Sequence, residues 1–89
     1  MKLSTNARAI YNDMTMMYTR CLKRIKQEEF FKAGLDACLI TGYKEAIFNA
    51  KRSGTIDNHD TTYLLKLLRE YLIDSYNKLK GIEVMFDDE

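Results

Sequence analysis

The sequence predicts an all-α fold: an antiparallel bundle of three long helices, at about 5–26, 28–52 and 59–80, followed by an acidic tail. Three observations carry this. The 89 residues include no Pro and four Gly, so the turn punctuation of a hairpin-built protein is missing. Apolar residues recur at steps of three and four over stretches of about twenty residues. Most of the turn formers gather in one loop, SGTIDNHD, and no internal repeat or low-complexity segment interrupts the rest. At 89 residues with 46% apolar content, the chain makes a single domain, 1–89, with 82–89 as a docked or disordered tail.

Helix 1 begins after LSTN, where Ser4, Thr5 or Asn6 can accept a hydrogen bond from the free N–H groups of the first turn. Ala7, Ile10, Met14, Met17 and Cys21 make one row, with Tyr11, Tyr18, Leu22 and Ile25 beside it. The stripe fails after Lys26. Positions 28, 29 and 32 would continue it, but they hold Glu28, Glu29 and Lys32, while Phe30 and Phe31 enter at a different phase. A turn is therefore expected near 26–29. It places the basic run at the end of helix 1 and the acidic pair in the first turn of helix 2, both favoured by the helix dipole.

Helix 2 runs to a C-cap in KRSG, from Lys51 to Gly54. Its middle, AGLDACLITGYKEAIF, is apolar on nearly all sides. Asp36, Lys44 and Glu45 mark its remaining solvent face, and Ala33, Gly34, Ala37, Cys38 and Gly42 are small enough for another backbone to approach closely. Helix 3 is capped by Asp57 or Asn58, has Asp60 in its first turn, and ends at Gly81. Its apolar row is Leu64, Leu67, Leu68, Tyr71, Leu72, Ser75 and Leu79.

Net charge is +1, but it is unevenly spread. Residues 1–26 hold Lys2, Arg8, Arg20, Lys23, Arg24 and Lys26 against Asp13 alone, and the segment after Gly81 holds Glu83, Asp87, Asp88 and Glu89. No apolar run is long enough to span a membrane, and MKLSTNARAI has no apolar leader core. A cytoplasmic protein with both cysteines, Cys21 and Cys38, reduced and buried is the expectation.

Chemistry is sparse. His59 stands alone at a helix start, no Ser or Cys near it in sequence is aimed at it, and no phosphate loop or metal-ligand spacing is present. The chain is therefore read as not an enzyme, with no catalytic residue, no metal and no cofactor. A helix-turn-helix placed on helix 2 with Gly42 at its turn is permissive, with Lys44, Glu45, Asn49 and Lys51 as readers, but Ala46, Ile47 and Phe48 are apolar and consecutive.

The surplus of apolar side chains on helix 2, including Ile40, Ile47 and Phe48, points instead to a protein partner and to a homodimer. The expected function is that of a non-enzymatic regulator or inhibitor that occludes or scaffolds another protein. In size and helicity this is the kind of chain found among small mobile-element or phage-type factors, although no motif carries a family resemblance. The residues expected to meet the partner are Met16, Arg20, Lys23, Arg24, Lys26, Phe30 and Phe31. The rival is a nucleic-acid binder that uses Arg20, Lys23, Arg24 and Lys26, joined by Lys44, Lys51 and Arg52. Membrane-surface binding is not expected, because the apolar face of helix 1 is needed for the core.

Overall fold

The computed structural model describes residues 3–87, with side chains to Lys80. It holds three helices, α1 (Thr5–Lys26), α2 (Phe30–Arg52) and α3 (Asn58–Asp87), and no strand among the described residues. They pack up, down and up into a bundle with extents of 50 × 19 × 19 Å.

Each helix places one seam in the core. On α1 the fully buried residues are Ala7, Met14 and Cys21, seven apart, with Ile10, Tyr11, Met17, Tyr18 and Ile25 packed beside them. On α2 they are Ala33, Asp36, Ala37, Ile40 and Ile47. On α3 they include Leu64, Leu68 and Ser75. The polar bonds between α1 and α3 keep one register. Ser4 reaches Asp60, Thr15 reaches Tyr71 and Tyr18 reaches Asp74, each 56 residues on, as two parallel helices require.

The two turns use one device. After α1, the Glu28 N–H donates to Ile25 O at 3.1 Å and the Glu29 N–H to Arg24 O at 2.8 Å. After α2, the Gly54 N–H donates to Lys51 O at 3.1 Å and the Thr55 N–H to Ala50 O at 2.9 Å. Both are Schellman closures, which need a left-handed residue after the cap. Gly54 supplies it at φ 77°, where glycine has no steric cost. Glu28 supplies it at φ 63°, which a residue with a Cβ adopts at a cost of about 1–2 kcal/mol. This corrects the expected role of the acidic pair. Glu28 and Glu29 form the turn, α2 begins at Phe30, and its first turn contains no acid.

α3 is also longer than expected, continuing through Gly81 to Asp87. The tail expected at 82–89 is thus helical in its backbone to Asp87, and Asp88 and Glu89 lie outside the described residues.

Two caps interlock at the base of the bundle. Ser4 Oγ accepts from the Ala7 N–H at 3.2 Å and donates to Asp60 Oδ2 at 2.8 Å. Asp57 Oδ1 accepts from the Asp60 N–H at 2.7 Å, capping α3. Asp60 is buried, and burial by itself would raise its pKa. The hydrogen bonds from Ser4 and Asp57 overcome this and hold it below the usual carboxylate range. A carboxylate with a depressed folded-state pKa stabilises the fold above its unfolded pKa, and that contribution is lost as pH falls through the folded value. Ser4→Ala is expected to cost about 1 kcal/mol at neutral pH. It is also expected to move the acid-unfolding midpoint to higher pH, as followed by circular dichroism.

Candidate functional site

The basic cluster near the end of α1 divides in the structure. Arg20 and Arg24 lie one turn apart on α1 and both turn inward to Asp36 on α2. Asp36 Oδ1 accepts from Arg20 Nε at 3.1 Å, Arg20 Nη2 at 2.8 Å and Arg24 Nη1 at 2.9 Å. Asp36 Oδ2 accepts from Arg24 Nη1 at 3.0 Å. The carboxylate is 1% exposed, so the expectation that Asp36 faces solvent is overturned. The reason is its place on the seam Ala33–Asp36–Ala37–Ile40, where a charge is retained only if it is paired. Of the expected cationic surface, Lys23 and Lys26 remain exposed without this engagement.

The other expected contact residues separate. Met16, 71% exposed, borders a shallow hollow with Asp13, Met17, Arg20 and Tyr43. Phe30 and Phe31 stand at the start of α2, Phe30 half-buried and Phe31 81% exposed. These two line an apolar groove of about 610 Å³ between α2 and α3, together with Leu35, Cys38, Tyr76 and Lys80. Leu39 on α2 and Ile73 on α3, one turn before Tyr76, are also half exposed or more.

The outer face of α2 therefore carries Phe31, Leu35, Cys38 and Gly42 at spacings of four, three and four, the heptad pattern of a helix–helix seam. The sequence points to Phe30 and Phe31 alike as contact residues, and does not mark Leu35, Leu39 or Cys38 as surface. Cys38, expected to be buried, is exposed, while Cys21 is fully buried with its thiol pKa raised by burial. Ile40 and Ile47, counted in the surplus, are fully buried. The readable signal was the phase: 31, 35, 38 and 42 lie opposite 33, 36, 40 and 47 on a helical wheel.

Comparison with protein-family models, with curated proteins and with solved structures found no match.

The remaining polar network joins α1 to α3. Tyr18 stacks on Tyr71 with ring centroids 4.1 Å apart and donates its hydroxyl proton to Asp74, which also accepts from Lys78 at 2.6 Å. Burial first, and then the Asp74 hydrogen bond and charge, push the Tyr18 pKa up to about 12. Such a tyrosine stays protonated at any physiological pH and acts as a fixed hydrogen-bond donor. Among the described residues, no three His, Cys, Asp or Glu side chains converge to hold a metal ion, and no helix is long and apolar enough to cross a membrane. α2 runs unbroken through Gly42, so the helix-turn-helix placed there has no turn.

Proposed function

We propose that this chain acts by binding another protein, as a non-enzymatic regulator or scaffold, through the outer face of α2 and the groove that face forms with α3. One observation carries the reading: Phe31, Leu35 and Leu39, one turn apart in sequence along α2, are all at least half exposed. An apolar row of this kind on a small domain marks an interaction surface. A groove beside an exposed helical row suits an amphipathic helix presented by a partner.

The nucleic-acid alternative is weakened by the geometry of the basic cluster. Arg20 and Arg24 direct donors to a buried carboxylate, leaving Lys23 and Lys26 as the exposed cations at that end of α1. Lys44, Lys51 and Arg52 of the same alternative are exposed too, but they lie further along α2, away from the arginine pair. The densest part of the proposed phosphate-binding surface is thereby reduced.

The two readings separate with two variants, Phe31→Glu and Lys23→Glu/Lys26→Glu. Partner capture from the native host is expected to fail with the first and survive with the second. Binding to mixed-sequence DNA or RNA is expected to be weaker than about 10 µM at physiological salt. Sub-micromolar, salt-sensitive nucleic-acid binding that the lysine reversals abolish would overturn the proposal.

A further inference from the structure

Resting on the reading of the outer α2 face as a protein-binding surface, we infer that its occupant is a second copy of this chain. The two copies pack α2 against α2 in antiparallel fashion about a twofold axis beside Cys38.

The face is self-complementary in shape. Its first half carries the bulky Phe31 and Leu35, and its second half carries the small Gly42 and Ala46. An antiparallel twofold sets the bulky half of each copy on the small half of the other. With the axis between positions 38 and 39, Leu35 meets Gly42 of the second copy and Phe31 meets Ala46. A parallel pair would instead stack Phe31 on Phe31 and leave glycine opposite glycine.

The glycines have no internal explanation. A Cβ added at Gly34 or Gly42 would meet nothing within 4 Å among the described residues, yet a glycine inside a helix is unfavourable relative to alanine. Close approach of an external helix supplies a reason for both.

Charge agrees with the same register. Glu45 lies two turns beyond Cys38 on the same line of the helix, and it is exposed. The antiparallel pairing brings it level with position 32 of the second copy. There Lys80 borders the groove beside Phe31 and Gly34. The twofold repeats this contact, giving two Glu45–Lys80 pairs at the rim.

Of the exposed apolar side chains, Phe31, Leu35 and Tyr76 border one groove and are each about half exposed or more. This patch is small beside the roughly 800 Å² per partner of a standard interface, so a weak, concentration-dependent dimer is expected.

With the axis between positions 38 and 39, the two Cys38 residues are offset by only one residue's rise, about 1.5 Å, so Cys38 lies beside Cys38. Cys21 is buried, which makes Cys38 the only exposed cysteine of the chain. The test uses the full chain in reducing buffer, by sedimentation equilibrium from about 1 to 200 µM. The expected result is a mass that rises from 10.4 kDa to twice that value. Leu35→Glu and Gly42→Leu, both surface changes on α2, should each hold the mass at one chain while helicity is unchanged. Diamide, which oxidises paired thiols, should convert the wild-type dimer to a disulfide-linked species that Cys38→Ser abolishes.

A single-chain mass at about 200 µM would overturn the inference while leaving the outer face open to a different protein. A dimer that Leu35→Glu leaves intact, or in which Cys38 does not cross-link, would overturn it by placing the contact elsewhere. The broader protein-binding reading fails separately, if nucleic acid proves to be the ligand.

Discussion

Replacing Arg20 and Arg24 together by methionine is expected to destabilise the chain by about 3 kcal/mol. Asp36 is 1% exposed and accepts from both guanidinium groups, so their removal leaves a carboxylate on the α1–α2 seam with no counter-charge. Breaking a buried pair from one side usually costs about 3–5 kcal/mol. The lower end applies because Arg20 is 46% and Arg24 28% exposed, so water already screens part of the interaction. Adding Asp36→Leu to the double variant should recover most of the loss, because a well-packed apolar side chain at a seam position is close to neutral against an ion pair. Asp36→Leu alone should cost less than the arginine pair, because both freed guanidinium groups can turn to solvent. Chemical denaturation of the four proteins gives the coupling directly. Simple addition of the two effects would mean that the arginines and the aspartate act independently.

Ile40→Ala is expected to cost about 3 kcal/mol and to lower Tm by about 10–25 °C. Ile40 is fully buried in the core cluster and belongs to the central helix, so the neighbouring helices must close the space it leaves. Leu39→Ala, one position away, should change the stability of the isolated chain by less than about 0.5 kcal/mol. Leu39 is 53% exposed and lies on the outer side of the same helix. The contrast between adjacent residues separates a core position from an interface position within one apolar run. Equal losses at 39 and 40 would mean that the two faces of α2 are not divided as described.

The sequence was read most accurately where apolar spacing and caps agreed. α1 begins at Thr5 and ends at Lys26 as the stripe of Ala7, Met14 and Cys21 implies, with Ser4 capping it. The Gly54 closure was likewise visible in KRSG. The turn at 27–29 was located, but its form was hidden, because Glu28 occupies a left-handed position that usually signals itself by glycine. Gly81 reads in the sequence as a helix stop, which sets the expected end of α3 too early. Gly81 instead continues the helix, as a tolerated glycine can.

The candidate site was half legible. Two adjacent phenylalanines cannot both face one core from one helix, so one exposed phenylalanine is legible in the sequence; which of the two it is, Phe31, comes from the phase of α2. The basic cluster is harder to read, because the charge of Asp36 suggests surface while its phase puts it beside Ala33, Ala37 and Ile40. Once that carboxylate is on the inner seam, Arg20 and Arg24, four residues apart on α1, become its partners. Two of the four cations at 20–26 then have a structural cause, while Lys23 and Lys26 stay exposed. What remains unused by the fold is the outer row of α2.

The most direct test of that row as the working surface is photo-cross-linking in living cells from a single photoreactive residue. The probe is placed at position 35 in one protein and at position 23 in another. Discrete protein adducts are expected from position 35 and none from position 23. Adducts that form from position 23 while position 35 stays silent would contradict this expectation, and would return the function to the basic end of α1.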